Sequence, residues 1–356
     1  MKTKIPTEPI GSIPRPAWLQ QAMAAHADGK LGDDEMAKLF DQATKETIHE
    51  LEKTGSPVIS DGEQSKPSFV TYPMQGFTKF SPNGIVIPFE DGHTRQLPKL
   101  SGGPFHYTTF ASSYLEKAKK LTSFPVKQAV ISCSAVSLIY PQNGVEGYTH
   151  ESFLADVVND AVKDIRSCLD KGAYNVQIDF TEARLAIKLD PSKNLLSMLI
   201  DLNNKVLSNF TAEEQKKIGV HSCPGGDHDS THSADISYKE LLPLLFSLKV
   251  GNFYLEYAAE KNKTEVLKTI KENLRPGQRV FLGVTNVLDP RVETAEEIRD
   301  LIVEATKYIP VEQLGTTDDC GFSPFGDDTS TAREIAFAKI RARIEGTKLA
   351  EEALSN

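Results

Sequence analysis

The stretch Lys217-Ile-Gly-Val-His-Ser-Cys-Pro-Gly-Gly-Asp-His-Asp-Ser-Thr-His232 joins a short apolar run to a long polar one. The apolar run predicts a β-strand, and the polar residues that contain Gly225 and Gly226 predict a loop at its carboxyl end. Alternate residues of an extended chain point to the same side, so His221 and Cys223 direct an imidazole and a thiol to one point beyond the strand. Such a pair could be half of a zinc site, although a buried histidine beside an inert thiol is the commoner meaning of this pattern.

Short apolar runs and helical patterns alternate along the rest of the chain in the same way. Further strand-like runs occupy residues 126–133, 175–180, 251–256, 279–284 and 315–320. Apolar residues recur at helical spacing in residues 33–53, 114–121, 152–172, 194–207, 238–248, 263–274, 295–308 and 330–349. With residues 5–16 and 57–63 as the first two strands, there are eight strand-and-helix units. Eight such units most simply close as a (β/α)8 TIM barrel, so we predict a single α/β domain over residues 1–356.

Residues 65–110 interrupt this alternation, because Pro, Gly, Thr and aromatic residues follow one another there without helical spacing. This composition is typical of β-hairpins and turns. We therefore expect a hairpin-rich insertion after the second strand, covering one end of the barrel.

The composition is that of an ordinary globular protein. Of the 356 residues 39% are hydrophobic and 25% are charged, and no apolar run approaches the roughly 20 residues that cross a bilayer. The net charge of -9 disfavours nucleic acid and anionic membranes as partners, since both attract clustered Lys and Arg. We expect neither partner.

Two features indicate a cytoplasmic protein. The first residues contain neither an apolar stretch of secretory-signal length nor an Arg-rich leader. The four cysteines, at positions 133, 168, 223 and 320, suit free thiols or metal ligands in a reducing compartment better than a set of disulfides.

The predicted strand ends carry most of the reactive side chains. In barrels of this kind the carboxyl ends of the strands hold the chemistry. In strand order they offer Ser12, Glu63, Ser132 with Cys133, Asp179 with Glu182, His221 with Cys223, Glu256, Thr285 with Asn286, and Cys320. The fifth, sixth and eighth strands thus supply a nitrogen, sulfur and oxygen ligand set suited to Zn²⁺, namely His221, Cys223, Glu256 and Cys320.

Other candidate ligands are weaker on sequence grounds. Glu260 rivals Glu256 as the carboxylate ligand, but it lies past the predicted strand. Cys133 and Cys168 are expected to pack in the core, as unpaired cysteines usually do.

A second metal at His228 and His232 is disfavoured. These two residues have the spacing of a zinc-protease helix, but Asp229 stands where that motif has a Glu, and two preceding glycines indicate a loop.

With these residues in place, the chain resembles the catalytic domain of cobalamin-independent methionine synthase. The resemblance extends to the short, single-barrel relatives of that domain, a superfamily that includes epoxyalkane:coenzyme M transferases. It covers nearly the whole chain and is carried by Ile10-Gly-Ser-Ile-Pro-Arg-Pro, Asp61-Gly-Glu, Val176-Gln-Ile-Asp, His221-Ser-Cys, Leu255-Glu, Gly283-Val-Thr-Asn-Val-Leu-Asp-Pro-Arg-Val and Asp319-Cys-Gly.

The resemblance implies a zinc-dependent thiol alkyltransferase whose partners are a small-molecule thiol and an alkyl donor. It places the zinc ligands on the same set of residues, His221, Cys223, Glu256 and Cys320. It places the thiol substrate on Ser12, Glu63 and Asp179, the two carboxylates being positioned for an amino group. Methyl transfer to a homocysteine-like thiol is the first expectation, and opening of an epoxide by a small thiol is the alternative.

Two other functions are compatible with the same barrel. Uroporphyrinogen decarboxylase, a sister branch, needs no metal and predicts Arg and Asp at the barrel mouth, whereas this chain has His and Cys there. A zinc-binding or thiol-binding barrel without catalysis would keep the ligands, and only a test for turnover separates it from an enzyme.

The chain departs from the synthase at positions that serve the folate. The synthase has a tryptophan after the third strand and a histidine after the seventh, whereas this chain has Ser132-Cys-Ser-Ala-Val and Leu288. Its only tryptophan is Trp18, and its fourth strand continues Asp179-Phe-Thr-Glu-Ala-Arg where the synthase has Asp-Glu-Pro-Ala. Folate is therefore not the expected donor.

From these departures we predict that the protein does not transfer the methyl group of methyltetrahydrofolate to homocysteine at an appreciable rate. The reason is that neither an aromatic surface nor a polar histidine is available for the folate at those positions. The measurement is methionine formation from the two substrates, and robust formation would show that these positions do not decide the donor.

Overall fold

The structure, a computed structural model, describes residues 4–355, in which strands and helices alternate. The strands are β1 (Ile85–Pro88), β2 (Thr94–Leu97), β3 (Gln128–Ile131), β4 (Val176–Asp179), β5 (Ile218–Ser222), β6 (Gly226–Asp227), β7 (Ser230–Thr231), β8 (Asn252–Leu255), β9 (Arg279–Gly283) and β10 (Leu314–Thr317). The helices are α1 (Ala17–Ala27), α2 (Asp33–Lys53), α3 (Ser112–Lys119), α4 (Cys133–Ser137), α5 (His150–Asp170), α6 (Glu182–Leu189), α7 (Asn194–Leu207), α8 (Ala212–Gln215), α9 (Tyr238–Leu245), α10 (Lys263–Asn273), α11 (Ala295–Ala305) and α12 (Arg333–Ser355). Every helix in this part of the chain is too short or too polar to cross a membrane.

Six of the strands form one parallel sheet in the order β10-β9-β8-β5-β4-β3. Most of its residues are buried on both faces, as expected of parallel strands connected by helices. The register sets Asp179 opposite His221 and Ser222 opposite Leu255. Because all six strands run the same way, their carboxyl ends meet at one edge.

Two N-terminal segments lie along the outer strands of this sheet. Thr7 pairs in parallel with Thr316 of β10, and Ile59 pairs in parallel with Val126, just before β3. These segments occupy the positions predicted for the first and second strands. The fold is therefore the α/β fold of TIM-barrel type that the sequence predicts.

Neither N-terminal segment is a regular strand, contrary to the sequence prediction. The first segment contains four prolines between residues 5 and 16, and each proline lacks the N–H group that a strand ladder requires. The two segments nevertheless contact each other, since the Ile13 N–H donates to the Gly62 carbonyl at 3.0 Å and the Ser60 hydroxyl to the Gly11 carbonyl at 2.7 Å.

A buried ionic cluster fixes the first segment inside the sheet. The Lys127 ammonium donates to the Pro9 carbonyl at 2.8 Å and lies 3.6 Å from a Glu8 carboxylate oxygen. The Tyr254 hydroxyl donates to the same carboxylate at 2.6 Å. Because Lys127 directly precedes β3 and Tyr254 belongs to β8, this cluster ties the first segment to both strands.

The insertion covers the barrel mouth, as predicted, but contains one hairpin, formed by β1 and β2, rather than several. The Glu90 N–H donates to the Thr231 carbonyl at 2.9 Å, and the Phe89 ring meets the His232 ring edge-on at 5.5 Å. Arg95 pairs with Asp227 and Asp327, which lie on two different loops. The hairpin is thus attached to the loops after β5 and β10.

Local hydrogen bonding explains where a predicted strand ends early. The sequence predicts strand through Cys133, but β3 ends at Ile131 and α4 begins at Cys133. The reason is Ser132, whose hydroxyl accepts the Ala135 N–H at 3.0 Å and so caps a helix. Helices α1, α6 and α8 were also not predicted. Cys133 and Cys168 both lie in the apolar core, as expected.

Close packing of α11 on α12 depends on Gly346, because a Cβ at this position would lie 2.5 Å from Ile298 Cβ. We predict that Gly346→Ala lowers the free energy of unfolding by about 1–3 kcal/mol, since the clash exceeds the gain in helix propensity. Denaturant unfolding measures the change.

The matched control is Lys348→Ala on the exposed side of the same helix, which should change the free energy by less than about 0.5 kcal/mol. A Gly346→Ala protein as stable as the wild type would contradict the tight helix contact.

Candidate metal and thiol site

Three sulfur and nitrogen donors converge at the carboxyl ends of β5 and β10. Ligand atoms of His221, Cys223 and Cys320 lie within 4.8 Å of one another, and the two sulfurs are 3.2 Å apart. His221 Nδ1 lies 3.2 Å from the Tyr254 carbonyl, so it carries the proton and donates. His221 Nε2 is then a free lone pair, buried and without a hydrogen-bond partner among residues 4–355.

The pKa values of the two thiols are shifted in opposite directions. The hydrogen bond between them lowers the pKa of Cys223 well below its usual value and raises that of Cys320. Burial acts to lower the pKa of His221, but the Cys223 sulfur and the Asp179 carboxylate outweigh burial and raise it. A cation at this point would replace the proton that now stabilises the Cys223 thiolate.

Glu256 lies beside the three donors at the end of β8. It lines the same cavity as Cys223 and Cys320, but it is outside the group of three whose ligand atoms converge. Burial raises the pKa of its carboxyl group, although Arg184 opposes the shift. Its Oε2 is 3.8 Å from an Arg184 nitrogen and accepts no hydrogen bond from the described residues.

The rival carboxylate Glu260 is engaged elsewhere. It forms an ion pair with Arg184 and is absent from the residues that line the cavity beside the cysteines. The described geometry therefore brings Glu256, rather than Glu260, next to the sulfurs. The residues fit Zn²⁺, because a buried imidazole nitrogen and a buried carboxylate oxygen without partners adjoin two thiols.

A cavity of ≈ 370 Å³ opens on one side of the cysteines. The three residues predicted for the thiol substrate, Ser12, Glu63 and Asp179, all line it together with His221 and both cysteines. The structure thus brings six of the seven predicted site residues to one cavity, and the seventh, Glu256, lines the neighbouring one.

Both carboxylates of this cavity are held in place by buried neighbours. The Lys66 ammonium forms an ion pair with Glu63 at 2.9 Å, and the Gln177 amide donates to Asp179 at 2.7 Å. Burial raises the pKa of Asp179 to about 6, while the neighbouring His221 opposes the shift. Glu63 has a left-handed backbone with φ of 56°, which directs this part of the loop around the cavity.

A second cavity of ≈ 430 Å³ adjoins the first, and both cysteines line it as well. Leu288, which the sequence analysis places where the synthase has its histidine, contributes apolar surface to it. His228 groups here with Asp227 and Asp328, whereas His232 bonds to the Ser233 hydroxyl at 2.7 Å. No group of metal-type ligands within residues 4–355 contains both histidines.

Sequence reasoning missed two residues that position the site. The Asp319 carboxylate accepts the N–H groups of Tyr257, Ala258 and Ala259, each at 2.8 Å. Because Asp319 directly precedes Cys320, these bonds attach the loop after β8 to the segment that carries Cys320. The motif Asp319-Cys-Gly had signalled the position without its role.

Tyr238 joins the other pair of strand ends. Its hydroxyl donates to the Ser222 carbonyl at 2.6 Å and accepts the Glu256 N–H at 3.1 Å. Nothing in the local pattern of α9 indicates this contact, because it depends on how the helix docks.

Comparison with known proteins yields one family and a consistent set of relatives. The family model described as the catalytic domain of cobalamin-independent synthase matches residues 5–335. A protein of Sulfurisphaera tokodaii named methionine synthase is 25% identical over 99% of this chain and 94% of its own length. A protein of the same name from Saccharolobus solfataricus is 26% identical over 98% of this chain and 96% of its own length.

Solved structures share the fold at lower identity. A B12-independent methionine synthase from Shewanella sp. W3-18-1, solved in complex with selenomethionine, superposes with a TM-score of 0.78 at 19% identity and covers 99% of each chain. A putative vitamin-B12 independent methionine synthase from Listeria monocytogenes gives a TM-score of 0.72 at 20% identity, with 98% of each chain covered.

We predict that Asp319→Asn lowers the free energy of unfolding by about 1–3 kcal/mol, because an amide cannot accept all three N–H groups. The amides of residues 257–259 should also exchange faster with deuterated solvent, which mass spectrometry measures. Asp201→Asn, at an exposed position of α7, is the control and should change neither quantity. Unchanged exchange at residues 257–259 in Asp319→Asn would refute the positioning role.

Proposed function

We propose, from the premise that the chain belongs to the family of cobalamin-independent synthase catalytic domains, that it is a zinc-dependent methyltransferase acting on a homocysteine-like thiol. The observation that carries this proposal is the pair of buried, unpartnered atoms, His221 Nε2 and Glu256 Oε2, beside two thiols. Buried polar atoms without partners are rare in folded proteins unless a ligand satisfies them. The names of the curated relatives support methyl transfer to homocysteine.

The ligands would be His221, Cys223, Glu256 and Cys320. Bound there, Zn²⁺ supplies the positive charge that favours ionisation of a thiol near neutral pH. The chain's own contribution is to orient the ligands. The Tyr254 carbonyl holds the His221 ring in the tautomer that leaves Nε2 free.

The cavity with Glu63 and Asp179 suits an amino acid that carries a thiol. The Asp179 carboxylate, and Glu63 which is ion-paired with Lys66, can accept from the ammonium group of homocysteine while its sulfur lies towards Cys223 and Cys320. The same charges disfavour the alternative thiol, coenzyme M, because its sulfonate is an anion and would be repelled.

Burial of the site supports transfer rather than hydrolysis. His221, Cys223 and Glu256 are each at most 6% exposed, and the insertion hairpin covers the mouth above them. A thiol held there and deprived of water is positioned to attack a methyl group in line.

Zinc analysis of cysteine variants tests the ligand set. We expect about one Zn²⁺ per wild-type chain, and loss of zinc in Cys223→Ser and in Cys320→Ser, because each removes a thiolate ligand. Cys168→Ser, which changes a core cysteine, is the control and should keep its zinc. The metal-free protein should remain folded by circular dichroism, since the barrel has a large core of its own. Full zinc retention in both ligand variants would refute the site.

Turnover is tested with methyl benzenesulfonate, an uncharged methyl donor that needs no dedicated donor pocket. The zinc-loaded protein should accelerate S-methylation of homocysteine, and calorimetry should record about one proton released when homocysteine binds. Proton release without acceleration would leave a thiol-binding barrel, and absence of both would refute the proposed function.

A further inference from the structure

The cavity that contains Leu288 has an unusual distribution of charge. Five acidic residues contribute to its lining, Asp227, Asp229, Glu256, Asp319 and Asp328, and within the described part of the chain no Lys or Arg does. The cavity adjoins the thiol cavity, because Cys223 and Cys320 line both. A methyl donor bound here would therefore lie next to a thiol bound in the other cavity.

Three of these residues are already accounted for. Asp227 pairs with Arg95, and Asp319 accepts three N–H groups. Glu256 is a proposed zinc ligand, so its charge would be compensated by the metal. None of the three calls for a further ligand.

Asp328 is different, because it is 3% exposed and forms no ion pair with Lys or Arg within residues 4–355. Its Oδ1 accepts two hydrogen bonds from Ser330, at 2.9 and 2.8 Å, and none reaches Oδ2. The guanidinium of Arg15 is near enough to interact electrostatically with Asp328, but it donates its hydrogen bonds to main-chain carbonyls. An ionised carboxylate buried in this way is costly unless a cation compensates it.

His228 makes no hydrogen bond to Asp328. Its Nε2 lies 3.1 Å from an Arg95 nitrogen, which can only donate. Its Nδ1 lies 3.6 Å from Asp328, too far for a hydrogen bond. Asp229, exposed at the rim, adds a second carboxylate without a cationic partner among the described residues.

The remaining surface of the cavity is apolar and is supplied by Val287, Leu288 and Phe322. An ammonium group or a metal ion suits acidic but not apolar surface. A cation whose charge is spread over methyl groups suits both, since its methyls contact apolar side chains and its charge compensates carboxylates.

We propose that this cavity binds the alkyl donor, and that the donor is a methyl-onium cation, a sulfonium or a quaternary ammonium. The inference rests on the proposed function. In the reaction the thiolate sulfur forms a bond to the methyl carbon while the bond from that carbon to the onium centre breaks. The electron pair of the broken bond stays on the donor, which leaves as a neutral thioether or tertiary amine.

Such a donor needs no general acid, because its leaving group is neutral as soon as the methyl group departs. Leu288, which cannot donate a proton, is compatible with this chemistry at the wall of the cavity. Release also follows, since the product has lost the charge that Asp328 and Asp229 attract.

The test compares dimethyl(phenyl)sulfonium and trimethyl(phenyl)ammonium with uncharged methyl phenyl sulfide, using the zinc-loaded protein. Only methyl groups can leave these probes. We expect each cation to bind at least about tenfold more tightly than the sulfide, as measured by calorimetry, because one unpaired charge in a partly buried site has at least this effect. Asp328→Asn and Asp229→Asn should each weaken cation binding, and Asp300→Asn on the exposed face of α11 should not.

Rates of homocysteine methylation separate this inference from the proposed function. In the wild-type protein at least one onium probe should transfer its methyl group, and transfer by Asp328→Asn should fall about tenfold from the onium but not from methyl benzenesulfonate. Whether the sulfonium or the ammonium probe transfers its methyl group identifies the class of donor. Transfer from methyl benzenesulfonate alone, with no preference for binding the cations, would overturn the onium donor and leave the methyltransferase standing. Absence of transfer from every donor would overturn both.

Discussion

The three hydrogen bonds to Asp319 are the constraint on which the rest of the site depends. They attach the loop after β8 to the residue that precedes Cys320. The ends of β8 and β10, which are far apart in the chain, are therefore held in a fixed relative position. Gly283 makes the arrangement possible, because a Cβ there would lie 2.1 Å from an Asp319 carboxylate oxygen. Pre-positioning of Glu256 and Cys320 in this way reduces the reorganisation that binding of a metal would require.

This arrangement costs stability, which the rest of the fold supplies. His221 Nε2 and Glu256 Oε2 are buried without hydrogen bonds, and each such atom is worth roughly 1–3 kcal/mol of lost stability. The apolar core, the ionic cluster around Lys127 and the attachment of the hairpin by Arg95 all lie around the site rather than in it. Unsatisfied buried atoms among the candidate ligands of a well-packed barrel are typical of a functional site.

The sequence by itself determined the fold class, the order of the elements and the candidate donors. The bounds predicted for Asp33–Lys53 and Asn194–Leu207 agree with the structure, because helical periodicity is a property of neighbouring residues. His221 and Cys320 could be placed at one end of the barrel for a similar reason, since parallel strands bring their carboxyl ends to one edge whatever their side chains. The early end of β3 escaped prediction because the cap at Ser132 competes with an apolar run.

Only the tertiary structure decided which of these residues face one another. In the folded chain Glu260 pairs with Arg184, and Glu256 lies beside the sulfurs. This outcome depends on how α6, which carries Arg184, packs against the barrel, and not on the local sequence. The tertiary structure also divided the mouth into a cavity with Asp179 and another with Asp328, both lined by the two cysteines. Contacts between residues tens to hundreds of positions apart set these outcomes, and local pattern carries no information about such contacts.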